Sequence, residues 1–139
     1  MDQAFSGGCA CQSIRYTVAR APLAMLNCHC SDCQVSSGAP FASGVVIMTA
    51  DLALTGEPRY YTVKGSSGAL VSRSFCPACG TPLLTQSAAN PHVTSIRFPT
   101  LDDCSAFKPM LDIYTADAQA WVCLDADIPH FPQSPPAPA

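Results

Sequence analysis

Seven of the nine cysteines fall into three tight clusters. Cys9 and Cys11 form a C-x-C, Cys28, Cys30 and Cys33 a C-x-C-x-x-C, and Cys76 and Cys79 a C-x-x-C, while Cys104 and Cys123 stand alone. Thiolates at such spacings bite one soft metal ion from a tight turn, and zinc is the ion they suit. A structural zinc takes four ligands in a closed tetrahedron, and a catalytic zinc takes three and keeps one position open. Seven divides into one of each. The simplest partition gives the two separated pairs, Cys9/Cys11 and Cys76/Cys79, to a closed site and the compact triplet Cys28/Cys30/Cys33 to an open one. Spacing alone also allows Cys9/Cys11 with Cys28/Cys30. Thiol redox work at Cys76/Cys79 is a rival, but Pro77 and Gly80 give that turn the character of a zinc knuckle. His29 lies between two ligands and is expected to point away from their metal. His92 and His130 have no partner at ligand spacing. Cys104 and Cys123 are expected to be small buried hydrophobes.

Short strands must carry these turns. Ile14, Tyr16 and Val18 alternate with polar residues over Ser13 to Val18, a half-buried strand. Strands are also expected over Phe41 to Met48, Leu52 to Thr55, Arg59 to Lys64, Ala69 to Phe75, Pro82 to Ser87, Val93 to Phe98 and Met110 to Thr115. Gly65-Ser66-Ser67-Gly68 reads as a hairpin turn. Ser31 is placed to cap a short helical turn carrying Cys33. No longer helical pattern stands out, so the chain reads as all-β: short antiparallel sheets and hairpins around zinc. One domain over 1–128 is expected, with a Pro-rich extended tail over 129–139.

Composition narrows the function classes. The 139 residues are 48% hydrophobic and 12% charged, which argues for a packed core and against disorder. Seven Lys+Arg against ten Asp+Glu leave no basic excess for general phosphate binding. No basic–aromatic strip appears, so no nucleic-acid partner is expected. No apolar run is long enough to span a bilayer, and Met1-Asp2-Gln3 lacks a leader pattern. A cytoplasmic location without a membrane partner is the expectation, and reduced, metal-holding cysteines fit it.

The clusters also carry a resemblance. Gly8-Cys9-Ala10-Cys11, Cys28-His29-Cys30-Ser31-Asp32-Cys33, Gly38-Ala39-Pro40-Phe41 and Phe75-Cys76-Pro77-Ala78-Cys79-Gly80 occur in order. With Lys108-Pro109, Asp112-Ile113-Tyr114, Trp121 and Asp127-Ile128-Pro129-His130-Phe131, they resemble the glutathione-dependent formaldehyde-activating enzymes. The resemblance implies a zinc-centred β-tent fold. It implies two Zn²⁺ per chain, a structural one on Cys9, Cys11, Cys76 and Cys79 and an open one on the catalytic triplet Cys28, Cys30 and Cys33. It implies carbon–sulfur lyase-type chemistry, in which a thiol such as glutathione and a small aldehyde combine to S-hydroxymethylglutathione; a homo-oligomer is compatible with it. The pattern departs at Gln12, where Gly is frequent, at Gln34, where Arg is frequent, at Asp112, where His or Glu is common, and at Ala120-Trp121, where Pro-Trp stands.

An open zinc on three thiolates suits a fourth soft ligand better than hydroxide, and coordination would deprotonate a substrate thiol. Arg59, Lys64, Arg73 and Arg97 are candidate counter-charges for an anionic thiol. Ser31, Asp32, Ser36 and Ser37 are candidate proton donors. The alternative is a binding module that uses zinc to build its fold and takes a thiol or protein partner without catalysis.

Overall fold

A computed structural model describes residues 3–136. Among these residues ten strands form two sheets. The smaller sheet has the order β1 (Phe5–Gly8), β2 (Arg15–Val18) and β5 (Leu52–Thr55), all antiparallel. The larger sheet has the order β10-β3-β4-β9-β8-β7-β6. Its strands are β3 (Ala24–Cys28), β4 (Ala42–Met48), β6 (Arg59–Lys64), β7 (Leu70–Phe75), β8 (Pro82–Ser87), β9 (Val93–Arg97) and β10 (Leu111–Ile113). Only β10 runs parallel to its neighbour, β3. One α-helix is formed among the described residues, α1 (Ser31–Ser37) after β3, so the fold is all-β as expected. Among the described residues no helix is long and apolar enough to cross a membrane.

Side-chain alternation divides the larger sheet into two working faces. Val45 and Ile47 of β4 and Ile96 of β9 point into the main core, where they meet Ile14, Tyr16 and Val18 from the smaller sheet. Leu83, Leu84 and Leu101 complete this layer. The opposite face carries Leu26 and Cys28 of β3, Ala42 and Gly44 of β4, and Ser95 and Arg97 of β9, as the pairs Leu26↔Gly44, Cys28↔Ala42 and Gly44↔Arg97 require. That face holds a second, smaller apolar cluster of Cys28, Cys33 and Ala42, flanked by Leu26, Ile113 and Tyr114.

Most expected strands form within two residues of their predicted ends; the one over Ser13 to Val18 begins at Arg15. The 65–68 turn closes the β6–β7 hairpin, with Gly65 N–H donating to the Ala69 carbonyl and Gly68 at φ 87. Two strands were not expected. β1 holds two glycines and lacks a β-forming pattern, yet it pairs with β2 because Gly7 lets the Tyr16 hydroxyl lie against the backbone. β3 shows no alternation, since four of its five residues are half-buried between the two faces. Helix α1 is capped by Cys30, not by Ser31: Cys30 has the extended backbone, and its sulfur accepts from the Cys33 amide.

The last described residues pair with β10. Asp112 N–H donates to the Pro129 carbonyl, Phe131 N–H to Asp112, and Tyr114 N–H to Gln133.

Candidate metal centre

Two turns bring Cys9, Cys11, Cys76 and Cys79 together. Gly8 ends β1, and the chain folds back through Cys9–Ser13 into β2, with Cys9 N–H bonded to the Ile14 carbonyl and Gln12 N–H to the Cys9 carbonyl. Gln12 sits at φ 66, a left-handed conformation that explains why glycine suits this position. Its own amide offsets part of the strain by donating to the Cys9 carbonyl at 3.0 Å and accepting from Arg15 at 2.8 Å. The second turn follows β7. Cys76 N–H bonds the Thr81 carbonyl, Gly80 N–H bonds the Cys76 carbonyl, and Gly80 takes φ 77. The two turns are tied where Ala10 N–H donates to the Thr81 hydroxyl at 3.1 Å.

The sulfurs of Cys9, Cys11, Cys76 and Cys79 all lie within 4.8 Å of one another. Cys9 and Cys11 are 3.6 Å apart and Cys11 and Cys76 3.8 Å. A tetrahedron with zinc–sulfur bonds of about 2.3 Å has edges of about 3.8 Å, so the set fits a closed zinc site. All nine cysteines are unpaired, so the approach is not that of a disulfide. Cys9 and Cys76 are fully buried, whereas Cys11 and Cys79 face solvent. Amide and hydroxyl groups surround the sulfurs, with Ile14 N–H donating to Cys9 at 3.3 Å and the Ser13 hydroxyl 3.0 Å from Cys11. The Thr81 hydroxyl beside Cys79 pulls that thiol down to about 5. Such donors stabilise thiolates, which are the ligand form.

The second cluster is built where β3 ends and α1 begins. Cys28 is the last residue of β3, Cys30 the N-cap, and Cys33 lies in the first turn of the helix. Their three sulfurs also lie within 4.8 Å of one another. No His, Asp or Glu of the described residues joins them. His29 turns away: its Nε2 lies 3.0 Å from Asp112 Oδ1 and its ring packs against Phe41. The neighbouring sulfurs of Cys28 and Cys30 hold the Cys33 thiol below the usual range, and Arg97 and Arg73 add to the effect. The same contacts, with burial, push Cys28 up.

A groove of about 290 Å³ opens onto this cluster, walled by Leu26, Cys28, Cys33, Thr85, Ser95 and Arg97. Cross-strand register explains it: Arg73, Thr85, Ser95 and Val46 stand opposite one another along one row of the outer face. A larger cavity, about 610 Å³, touches Cys9 but none of the triplet. Of the candidate cations, Arg73 approaches Cys33 at 3.9 Å and Arg97 lines the groove, while Arg59 and Lys64 are exposed on the edge strand β6. Gln34 does not enter the groove; its amide donates to the carbonyls of His29 and Asp117. Of the expected hydrophobes, Cys104 is half-buried against the core, but Cys123 is exposed, because the segment around it contributes no strand. The groove hydroxyls and the buried His29–Asp112 pair carried no sequence signal, since each depends on which strands become neighbours.

A solved structure of a Rhodobacter sphaeroides protein shares the fold, with a TM-score of 0.58 and 20% identity over 73% of this chain and 91% of that one. No curated protein matches the chain. The family model described as glutathione-dependent formaldehyde-activating enzyme matches residues 4–117. A match over most of the chain, on a scaffold that gathers seven cysteines into sets of four and three, makes the chain a member of that family.

Proposed function

We propose that Cys9, Cys11, Cys76 and Cys79 hold a structural zinc, and that Cys28, Cys30 and Cys33 hold a second, open zinc at which a small thiol is joined to a small aldehyde. The observation that carries this reading is the count of ligands: three converging sulfurs, no fourth Cys, His, Asp or Glu donor among the described residues, and a groove leading to them. When bound, the ion supplies an open position that favours the thiolate form of a thiol.

The chain's own groups do the rest. Leu26 and Ala42 give the groove an apolar wall that limits water, and Thr85 and Ser95 offer hydroxyl donors to a carbonyl oxygen. Arg97, buried beside the cluster, favours negative charge on sulfur. Holding both reactants in so small a space supplies much of the rate. The thiolate forms a carbon–sulfur bond as the carbonyl π bond breaks. The alkoxide oxygen then takes back the proton the thiol released. With glutathione and formaldehyde the product is S-hydroxymethylglutathione.

The test is a titration of the zinc-loaded protein with glutathione, followed at the zinc absorption edge, together with the rate of hydroxymethyl adduct formation. A fourth sulfur at one of two zinc ions and a rate above the spontaneous one are expected. No added sulfur and no rate gain would overturn the reading in favour of a zinc-built binding module.

A further inference from the structure

The chain beyond β10 returns to the same strand. Five backbone hydrogen bonds hold it there. Asp112 N–H donates to the Pro129 carbonyl, Tyr114 N–H to Gln133, Thr115 N–H to Phe131 and Ala116 N–H to Pro132, while Phe131 N–H donates to the Asp112 carbonyl. His130 stands opposite Asp112 in a parallel bridge. Tyr114 takes φ 55, a left-handed conformation, and this turns the end of β10 so that the next two amides face the tail. The tail extends the sheet by one short rung, and Pro129 and Pro132 offer no N–H to a further strand.

These bonds bring the tail to the open cluster. The groove that reaches Cys28 and Cys33 has Ile113 and Ser134 in its wall. Ile113 and Tyr114 also pack against the same cysteines, so the anchor of the tail and the site share one wall. Ser134 borders a second space of about 300 Å³, which Pro132 and Gln133 share with Ser66 and Ser67. Those two serines sit in the β6–β7 turn, and β6 and β10 are the opposite edges of the seven-stranded sheet. Elements from the two ends of the strand order therefore face each other, which requires the sheet to curl over the face that carries the triplet. The tail and the turn form the two sides of the opening, and Ser134 stands where the groove and the outer space adjoin.

We propose that tail residues 132–134 and turn residues 66–67 set the size of molecule that reaches the cysteine triplet, with Ser134 as the specificity-determining residue. That the molecule is a thiol rests on the function proposed above; the control of access does not. The tail is anchored through its main chain, so the side chain at 134 can change without loss of the anchor. Serines at 66, 67 and 134 leave the opening wide, and a large side chain at its narrowest point would fill it.

The test measures alkylation of the zinc-loaded protein by a small reagent, iodoacetamide, and a bulky one, N-(1-pyrenyl)maleimide, site by site in a mass spectrometer. Cys123 is exposed and serves as the internal reference for each reagent. Ser134→Trp is expected to lower the bulky-to-small rate ratio at Cys33, relative to that at Cys123, by at least about tenfold, the discrimination a shaped pocket exerts against one extra carbon. Calorimetry with 2-mercaptoethanol and benzyl mercaptan should show the same selective loss, confined to the larger thiol. An unchanged alkylation ratio at Cys33 would overturn the proposal and leave the thiol reading standing. Equal weakening of both thiols, or of neither, would also overturn it, since the bound molecule would not then be sorted by size at Ser134. A shifted alkylation ratio with no binding of either thiol to the parent would keep the control of access and remove the thiol reading.

Discussion

The sulfur of Cys30 accepts a hydrogen bond from the backbone N–H of Cys33 at 3.3 Å. One proposed ligand therefore caps the helix that presents another, and the capping bond also shapes the sulfur cluster. A cysteine is an unusual cap, but its sulfur meets the same orphan amide that a serine hydroxyl would.

Cys30→Ser keeps a capping group, so the fold should survive while zinc content falls from two ions to about one per chain. Cys30→Ala should cost about 1 kcal/mol more in urea unfolding, the usual value of a lost cap. Cys79→Ser should instead lower stability sharply, because the ion that four cysteines from two distant turns could hold is part of the folding free energy. Metal analysis beside urea denaturation distinguishes the two. Equal loss of fold in Cys30→Ser and Cys79→Ser would contradict the division of labour.

How much was legible beforehand depends on whether the signal was local. The partition of the cysteines was one of two that spacing allowed, and their gathering into sets of four and three matches the simpler one. The hairpin β6–β7 and strands β5 and β8 followed from turn residues and strand-forming runs. Strand β3, which delivers Cys28, was hidden because both of its faces are partly covered and its pattern does not alternate. The choice of Arg73 and Arg97 over Arg59 and Lys64 was equally hidden. It depends on the strand order β9-β8-β7-β6, in which β6 lies at the exposed edge.

Gln12 offers a test of backbone strain against side-chain bonding. Its φ of 66 costs about 1–2 kcal/mol for a residue with a Cβ. Gln12→Gly removes that cost but loses the bonds to the Cys9 carbonyl and Arg15, so stability should change by less than about 1 kcal/mol. Gln12→Ala keeps the strain and loses the bonds, and should be destabilised by about 1–2 kcal/mol. Urea unfolding of the zinc-loaded proteins measures both. An alanine variant as stable as the parent would show that these bonds contribute nothing.

Asp112 is 2% exposed and holds His29 by a 3.0 Å contact, with His130 3.6 Å away on the other side. Asp112→Ala leaves a buried imidazole nitrogen without a partner and opens a void, so a loss of about 2–4 kcal/mol is expected. Asp112→Asn keeps an acceptor for His29 and should recover much of that loss. Thermal or urea unfolding of the pair checks this ordering. Equal destabilisation would mean that the charge, rather than the hydrogen bond, fixes His29.

Tyr16 should make the fold sensitive to alkali. Burial pushes its phenol up to about 12 from an ordinary value of 10.0, against a smaller opposing pull from the Thr100 hydroxyl 2.9 Å away. Between these two values the unfolded chain releases the proton and the folded chain keeps it. The stabilisation is therefore complete below pH 10 and is lost as pH rises toward 12. By pH 11 the loss attributable to this group is about 1.4 kcal/mol. Tyr16→Phe should cost about 1 kcal/mol at pH 8, because Thr100 keeps its bond to the Arg97 carbonyl and loses only one partner. The variant should then show a shallower decline between pH 9 and pH 11 than the parent, by roughly the same 1.4 kcal/mol. Parallel declines in urea unfolding would mean that Tyr16 titrates alike in both states, and that the buried phenol does not set the alkaline limit of this fold.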